Sequence, residues 1–182
     1  MPNDEIATRK RRWIAVLGLM ALGILIGAAG IVASTEINRI TSTDALCTSC
    51  HTMATVAEDP QYQNSPHRKN AFGVLAGCSD CHIPTNNWFI ETYTHLASGI
   101  KDVVAENTGN FSDPAVWQAR RAELATVTRD VMRRNRGVTC LKCHEVAAIS
   151  GAKEAHAALA QGQSTCVDCH TIHGQPAAAP KP

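Results

Sequence analysis

Aromatic residues are scarce in this sequence. Three Trp, two Tyr and three Phe account for 4% of its 182 residues. A domain of ordinary size needs more large apolar side chains to build its core, so a core made of protein alone is not expected. An excess of charge is absent as well, because residues 34–182 carry 13 Lys and Arg against 14 Asp and Glu. This balance argues against nucleic acid as a partner.

Charged residues are missing altogether from one stretch of 21 residues, 13–33. A helix rising about 1.5 Å per residue would carry this stretch across the roughly 30 Å hydrocarbon layer of a membrane. Four basic residues precede it at positions 9–12 and are expected to stay on the cytoplasmic side. A cleaved signal peptide is the alternative, although its apolar region is shorter, about 7–15 residues. The sequence therefore predicts a cytoplasmic segment 1–12, a transmembrane anchor 13–33 and an exported domain 34–174.

No cysteine lies outside one repeated pattern. The eight cysteines form four copies of Cys-x-x-Cys-His, the attachment sequence of c-type haem. Two thiols bond to the vinyl groups of one porphyrin, and the adjacent His is placed to bind its iron. Four covalent haems are therefore predicted, and their faces would supply the apolar surface that aromatic residues do not. The four motifs begin at Cys47, Cys78, Cys140 and Cys166, and their second cysteines are Cys50, Cys81, Cys143 and Cys169.

Zinc binding and disulfide bonding are the alternatives for eight cysteines. Cys-x-x-Cys pairs form the halves of zinc ribbons, and disulfides stabilise small exported domains. Neither alternative requires a His after every second cysteine, and that His is present in all four copies. Haem is therefore the preferred interpretation. It also agrees with the predicted export, since haem is attached on the periplasmic side of the bacterial inner membrane.

The fold class predicted for the periplasmic domain 34–174 is mainly α with much irregular structure and little or no sheet. Two longer helices are expected. Residues 86–107 carry apolar residues at helical spacing, and residues 114–136 begin with Asp113 as N-cap and Pro114 in the first turn. The tail 175–182 is predicted to be disordered. The end of the second helix carries three arginines that could bind haem propionates, bind lipid head groups or stay solvated: Arg133, Arg134 and Arg136.

The number of histidines matches the number of ligands that four irons require. Four irons with an imidazole on both faces need eight histidines, and eight are present. The first motif is followed by Met53, so a thioether could replace His51 on its iron and leave the opposite face open to a quinol. The motif histidines are His51, His82, His144 and His170, and the others are His67, His95, His156 and His173.

The sequence resembles the NapC/NirT family of membrane-anchored tetrahaem quinol dehydrogenases over nearly its whole length. It has the short basic N-terminus, the single anchor and the four motifs. The first motif, in the form Cys-x-x-Cys-His-x-Met, and the segment Gly99–Val104 are most similar to the small subunit that delivers electrons to cytochrome c nitrite reductase. Further matching stretches are Thr41–Met53, Asn64–His67, Gly77–Pro84 and Thr165–His170.

The resemblance implies roles for individual residues. In the nitrite reductase branch the Met of the first motif binds the iron, which implies Met53 as that ligand and His51 as the alternative. Asp102 matches an aspartate of the quinol pocket. His95 stands where relatives have a lysine, and Lys101 is a substitute candidate. The remaining implied iron ligands are His82, His144 and His170 on the proximal side and His67, His156 and His173 on the distal side.

The expected function is oxidation of membrane quinol, either menaquinol or ubiquinol, and transfer of its electrons to a periplasmic reductase or soluble cytochrome in anaerobic respiration. One alternative is the reverse reaction, reduction of quinone. Another is a tethered relay between periplasmic redox proteins that never contacts quinone. The chain is expected to lie in the lipid bilayer. Gly23 and Gly27 are spaced so that two anchor helices could pack together, which predicts a possible homodimer.

Overall fold

The computed structural model describes residues 2–149, 153–170 and 173, with the side chains of residues 2–4, 51 and 155 excepted. Within these residues there are helices and turns and no strand, which confirms the mainly helical fold expected from the sequence. The chain divides into two compact units, Met1–Arg39 and Ile40–Pro182. The predicted disordered tail 175–182 lies outside the described residues.

Short helices outnumber long ones in the described part of the chain. The α-helices are α1 (Pro2–Thr41), α2 (Asp44–Cys47), α3 (His51–Ala57), α4 (Pro60–Gln63), α5 (Cys78–His82), α6 (Trp88–Thr108), α7 (Pro114–Arg134), α8 (Val138–Leu141) and α9 (Lys153–Ala160). Two 3₁₀ turns are formed by Val146–Ala148 and Cys166–Asp168.

Helix α1 contains the predicted anchor and continues beyond it at both ends. Its segment Glu5–Thr41 is, among the described residues, the one helix long and apolar enough to cross a membrane. The protein buries no part of the most apolar 18 residues of this helix, so α1 is not a core helix. Apolar side chains cover its whole circumference, as expected where lipid surrounds a helix.

Helices α6 and α7 agree with the two predicted helices to within two residues at each end. Asn87 caps α6 by accepting hydrogen bonds from the backbone N–H groups of Phe89 and Ile90, at 2.9 and 3.2 Å. Asp113 caps α7 as expected, with its carboxylate 2.8 Å from the N–H of Ala115. These ends are set by local side-chain chemistry, which is why the sequence predicts them well.

The described residues build almost no apolar core. Phe111 and Trp117 are the only buried hydrophobic residues among them, and their rings pack edge to face with centroids 6.4 Å apart. Many other large apolar side chains of the second unit are exposed, among them Met53, Val127 and Leu141. A domain of this length normally buries a substantial core. The polypeptide thus leaves apolar surface uncovered, as expected of a fold organised around bound cofactors.

Candidate functional site

The second, third and fourth Cys-x-x-Cys-His motifs share a compact turn. The second motif is the whole of α5. In the third and fourth motifs the N–H of the His donates to the carbonyl of the first Cys, at 3.0 Å for His144 and 2.8 Å for His170. The first motif differs, because α2 ends at Cys47 and Cys50 is extended before α3 begins.

An aspartate within the second and fourth motifs stabilises the turn. The Asp80 carboxylate accepts a hydrogen bond from the N–H of Gly77 at 2.9 Å. The Asp168 carboxylate accepts from the N–H and hydroxyl of Thr165, at 2.7 and 2.9 Å. Both motifs therefore read Cys-x-Asp-Cys-His because the carboxylate folds back on the residue before the first cysteine. The repeated Asp is visible in the sequence, but its role as a cap was not predicted.

The same two aspartates connect their motifs to other elements. Lys142 of the third motif lies 3.4 Å from Asp80. Arg133 of α7 donates to Asp168 at 2.6 Å and to Asp130 at 2.6 Å. The bonds from Arg133, and then those from Thr165, lower the pKa of Asp168 to about 2. Of the three helix-end arginines, Arg133 stays partly exposed to solvent, and its bonded partners are carboxylates of the protein.

Arg134 and Arg136 line a cleft of about 380 Å³. Pro84, just after the second motif, and Leu141 of the third motif lie on its other sides. Two guanidinium groups beside two motifs are suitably placed for carboxylates, so the propionate alternative stays open for these two residues.

The four motifs adjoin one another in the order in which they occur in the chain. Helix α2 contacts α5, and α5 contacts α8. Asp44, before the first motif, accepts a hydrogen bond from the N–H of Cys78 at 2.8 Å and lies 3.6 Å from Arg68. Burial and then the Asp44 carboxylate raise the pKa of the free Cys78 thiol to about 12, and the neighbouring Cys47 adds to this. The first and second motifs are thus in direct contact.

Thiol neighbours also connect the later motifs. Burial raises the pKa of Cys81, and Cys140 of the third motif contributes next. Burial likewise raises the pKa of Cys166, again followed by Cys140. The third motif therefore lies between the second and the fourth. No disulfide joins any of the eight cysteines, which leaves each Cys pair available for attachment to a porphyrin.

Three of the motif histidines each face one of the histidines outside the motifs. Two imidazoles that bind one iron from opposite sides have ring centroids about 6 Å apart, since each nitrogen lies about 2 Å from the metal. The sequence left the pairing open, and the structure brings together particular partners. The pairs are His67 with His144 at 5.9 Å, His82 with His173 at 5.8 Å, and His156 with His170 at 6.3 Å.

The surroundings of the His82–His173 pair favour neutral imidazoles. His82 is reached by solvent but is closely surrounded by protein, as expected of a side chain facing a cleft. These surroundings, and then His173, lower the pKa of His82 to about 4. Burial lowers the pKa of His173 as well, while Asp59 opposes this effect. The neutral form is the one that binds a metal, so the pair is ready for ligation.

The chain just after the first motif is bonded to α6, and none of the three described histidine pairs includes a residue of this motif. Thr52, a buried residue, donates its hydroxyl to the Glu106 carboxylate at 2.6 Å. Met53 follows on α3 with its side chain exposed. The side chain of His51 lies outside the described part of the structure. No group of three or more His, Cys, Asp and Glu side chains suited to one metal ion occurs in the described residues, and axial haem ligation needs only two per iron.

His95 lies on the same side of α6 as Glu106. Its ring nitrogens are 3.1 Å from the Thr41 hydroxyl and 3.2 Å from the Ser42 hydroxyl. Burial lowers the pKa of His95 despite the opposing effect of Glu91. His95 is therefore bonded to the chain just ahead of the first motif and takes no part in the three ring pairs.

Asp102 shares the helix face of His95 and Glu106. At about 100° per residue, positions 95, 102 and 106 fall within an arc of about 40°. Lys101 lies about 100° away from Asp102, so the structure separates it from that face. Solvent reaches Asp102, but the surrounding protein raises its pKa, against the effect of Lys101. His95 is thus bonded to the start of the segment 41–53 that contains the first motif, and Asp102 lies on the same face of α6.

Comparison with known families agrees with the motifs. Residues 9–177 match the family model described as "NapC/NirT cytochrome c family, N-terminal region". The chain belongs to the NapC/NirT cytochrome c family. Haem is accordingly its cofactor, and the family resemblance expected from the sequence is confirmed. No solved structure matches the chain.

Three relatives show how far the similarity extends. The chain is 36% identical to the cytochrome c-type protein TorC of Escherichia coli K12 over 166 residues, which cover 87% of the chain and 41% of TorC. It is 33% identical to a putative tetraheme cytochrome c-type protein of Allochromatium vinosum, in an alignment that covers 97% of the chain and 96% of that protein. It is 32% identical to NapC of Paracoccus pantotrophus, in an alignment that covers 72% of the chain and 57% of NapC. The NapC/NirT chain thus spans about two fifths of the length of TorC.

Proposed function

We propose that this chain is a membrane-anchored tetrahaem cytochrome c that oxidises membrane quinol and passes the electrons to a periplasmic reductase in anaerobic respiration. The observation that supports it is the asymmetry of the site. Three motif histidines face a second histidine at the distance that one iron requires. The first motif instead follows two residues bonded to His95, and Asp102 shares that face of α6. Both His95 and Asp102 are able to exchange protons.

The residues that would hold the haems follow from the motifs and the ring pairs. Each pair of cysteine thiols carries one porphyrin. The ring pairs assign His173 to the second haem, His67 to the third and His156 to the fourth, each opposite the motif histidine. Met53 is the ligand of the first haem, with His51 as the alternative. When bound, the four haems supply carriers that accept and release single electrons.

The order of the motifs provides the path for those electrons. Cys47 adjoins Cys78, Cys81 adjoins Cys140, and Cys140 adjoins Cys166. Electrons enter at the first motif and leave from the fourth, toward a reductase of nitrate, nitrite or a similar acceptor. The arrangement itself favours neither direction of flow, so the direction comes from the potentials of donor and acceptor.

Asp102 is the proposed acceptor of the quinol proton. Oxidation of one quinol releases two electrons and two protons, and a base must take each proton from a quinol hydroxyl. A carboxylate with a raised pKa suits this task, because a base works best when its pKa is near the ambient pH. His95, kept neutral and oriented by Thr41 and Ser42, assists. The basic residues at positions 9–12 place the N-terminus in the cytoplasm, so these protons leave on the periplasmic side.

The test is quinol oxidation by Asp102→Asn in the full-length protein loaded with haem. We expect turnover with menaquinol or ubiquinol analogues to fall about 100-fold, the usual contribution of a general base. In the wild type the rate falls as the pH drops through the pKa of Asp102, because the protonated carboxyl accepts no proton. That loss occurs at a higher pH than for an ordinary carboxyl, since the pKa is raised.

Two further variants make the test specific. Glu123→Gln removes an exposed carboxylate of α7 that pairs with Arg120, and it should leave turnover unchanged. Lys101→Gln should have a smaller effect than Asp102→Asn, because Lys101 lies on another face of α6. Unchanged turnover of Asp102→Asn, with all four haems retained, would remove Asp102 from the mechanism. A quinone-site inhibitor that leaves the haem spectrum of the wild type unchanged would instead support a relay without quinone contact.

A further inference from the structure

A stripe of large apolar side chains runs along α6 on the surface of the second unit. Its members lie three or four residues apart, except for the adjacent pair Val103 and Val104 at its end, and each is more than half exposed. No charged residue lies within it. The apolar stripe of α6 consists of Phe89, Tyr93, Leu96, Ile100, Val103 and Val104. Exposed apolar surface of this extent marks a contact with a partner or a membrane.

The stripe is turned away from the first motif. Successive residues of a helix are turned by about 100°, which places the members of the stripe within an arc about 100° wide. The centre of this arc lies about 130° around the helix from the face that carries His95, Asp102 and Glu106. That second face is the one bonded to the protein, through Thr41, Ser42 and Thr52. A haem carried by the first motif would accordingly be expected on the bonded side of α6, which leaves the stripe available for another contact.

The contacts of His95 indicate what that cover is. Thr41 is the last residue of α1, the candidate membrane span, and Ser42 follows it. Because both hydroxyls lie within hydrogen-bond distance of His95, this part of α6 is held at Thr41 and Ser42, where α1 ends. A helix rises about 1.5 Å per residue, so no part of α6 is more than about 20 Å from that point along its axis. An uncharged stripe fits acyl chains, and Tyr93 suits the level of the head groups.

We propose that α6 lies flat in the membrane–water interface, with its apolar stripe among lipid acyl chains and its His95–Asp102 face toward the protein. The helix would act as a second, peripheral contact with the bilayer beside α1. This inference needs the anchor but not quinol oxidation, and its failure would leave the proposed function to its own test. If both hold, α6 also brings Asp102 to the depth at which a quinol head group arrives.

The first experiment uses the unaltered protein. The full-length chain with its haems is placed in nanodiscs of phospholipid that carries a photoactivatable diazirine in the acyl chain, and cross-linked peptides are located by mass spectrometry. Cross-links are expected in α1 and α6 and not in α7, a helix of the same length in the same unit. Cross-links confined to α1 would overturn the proposal.

The second experiment uses the fact that all eight native cysteines belong to haem motifs, so an introduced cysteine is the one free thiol of the mature protein. Leu96→Cys lies in the stripe, and Ser98→Cys lies two residues away on another exposed part of α6. In nanodiscs, a charged maleimide should label Leu96→Cys about tenfold more slowly than Ser98→Cys, because lipid excludes the reagent. Haem absorbance shows that both variants are folded.

Two results would contradict lipid contact. Equal labelling rates for the two variants would show that water reaches the stripe. A disulfide-linked dimer formed by Leu96→Cys alone would show that a second copy of the chain covers it. The cross-linking of the unaltered protein remains decisive if either variant fails to fold.

Discussion

The first haem motif and the three later ones are built differently. Each later motif forms a compact turn, and its histidine faces another histidine about 6 Å away. The first motif has an extended residue at Cys50 and is bonded to α6 through Thr52 and Glu106. The later motifs thus each place two imidazoles at the separation that one iron requires. The first has no such described pair, and His95 is bonded to the residues just ahead of it.

This contrast shows how one repeated pentapeptide can serve two purposes. An iron with two imidazoles has no free face, so it can carry electrons but bind no substrate. A site that exchanges electrons and protons with a quinol needs a nearby base and an approach from the membrane. The attachment chemistry is identical in all four motifs, and the neighbouring helix makes the difference.

The largest expected effect comes from breaking one of the ring pairs. His156→Gly should convert one haem to a high-spin, five-coordinate form, because His170 would be left as its only protein ligand. His95→Gly should add no high-spin haem, since the ring of His95 is bonded to Thr41 and Ser42. Low-temperature EPR of the two purified variants measures this. A high-spin signal gained in His95→Gly but not in His156→Gly would reverse the comparison.

An intermediate effect is expected at the first motif. Met53→Leu keeps the apolar bulk of the side chain and removes the sulfur, so one haem should change its potential while three keep theirs. A redox titration followed by haem absorbance measures this, and Met132→Leu in α7 serves as the matched control. If Met53→Leu behaves as wild type and His51→Gly alters one haem, then His51 is the ligand of the first iron.

The smallest effect is expected where the fourth motif is joined to α7. Arg133→Ala removes the partner that, with Thr165, lowers the pKa of Asp168 to about 2. A lowered pKa stabilises the folded state above the ordinary pKa of 3.8 and loses that contribution as the pH falls toward 2. Thermal melting should therefore show a small loss for Arg133→Ala at pH 6, and a smaller difference from wild type near pH 2.

Arg129→Ala is the control for that comparison, because Arg129 is on the same helix and bonds only to a hydroxyl in its own helix, that of Thr126, among the contacts described. A difference between Arg133→Ala and wild type that stayed constant from pH 6 to pH 2 would show that the Asp168 carboxylate is not involved.

The parts of this molecule that the sequence predicts are those set over a few residues. Asp113 with Pro114 marks the start of α7 because a cap needs only its own turn. The motifs are recognisable because thiols and imidazole must be close along the chain to reach one porphyrin. The capping role of Asp80 and Asp168 is local too, and the repeated Cys-x-Asp-Cys-His was a signal that would have revealed it.

The remaining features depend on residues that are distant in the sequence. Counting eight histidines showed that three or four pairs were feasible, but not that His67 would face His144. The sequence left three alternatives for Arg133 and gave no sign of its contact with Asp168, which lies 35 residues further along the chain. Lys101 and Asp102 are adjacent in sequence, yet helical geometry separates them by about 100°.

The sequence by itself determined the cofactor chemistry, the candidate membrane span and the positions of the longer helices, because each depends on residue type within a short window. Tertiary structure alone decided the histidines that face His82, His144 and His170, the adjacency of the four motifs and the bonds between α6 and the residues around the first motif. Those features arise from contacts across α5, α6 and α7, and such contacts depend on how the whole second unit folds around surface that its own side chains leave uncovered.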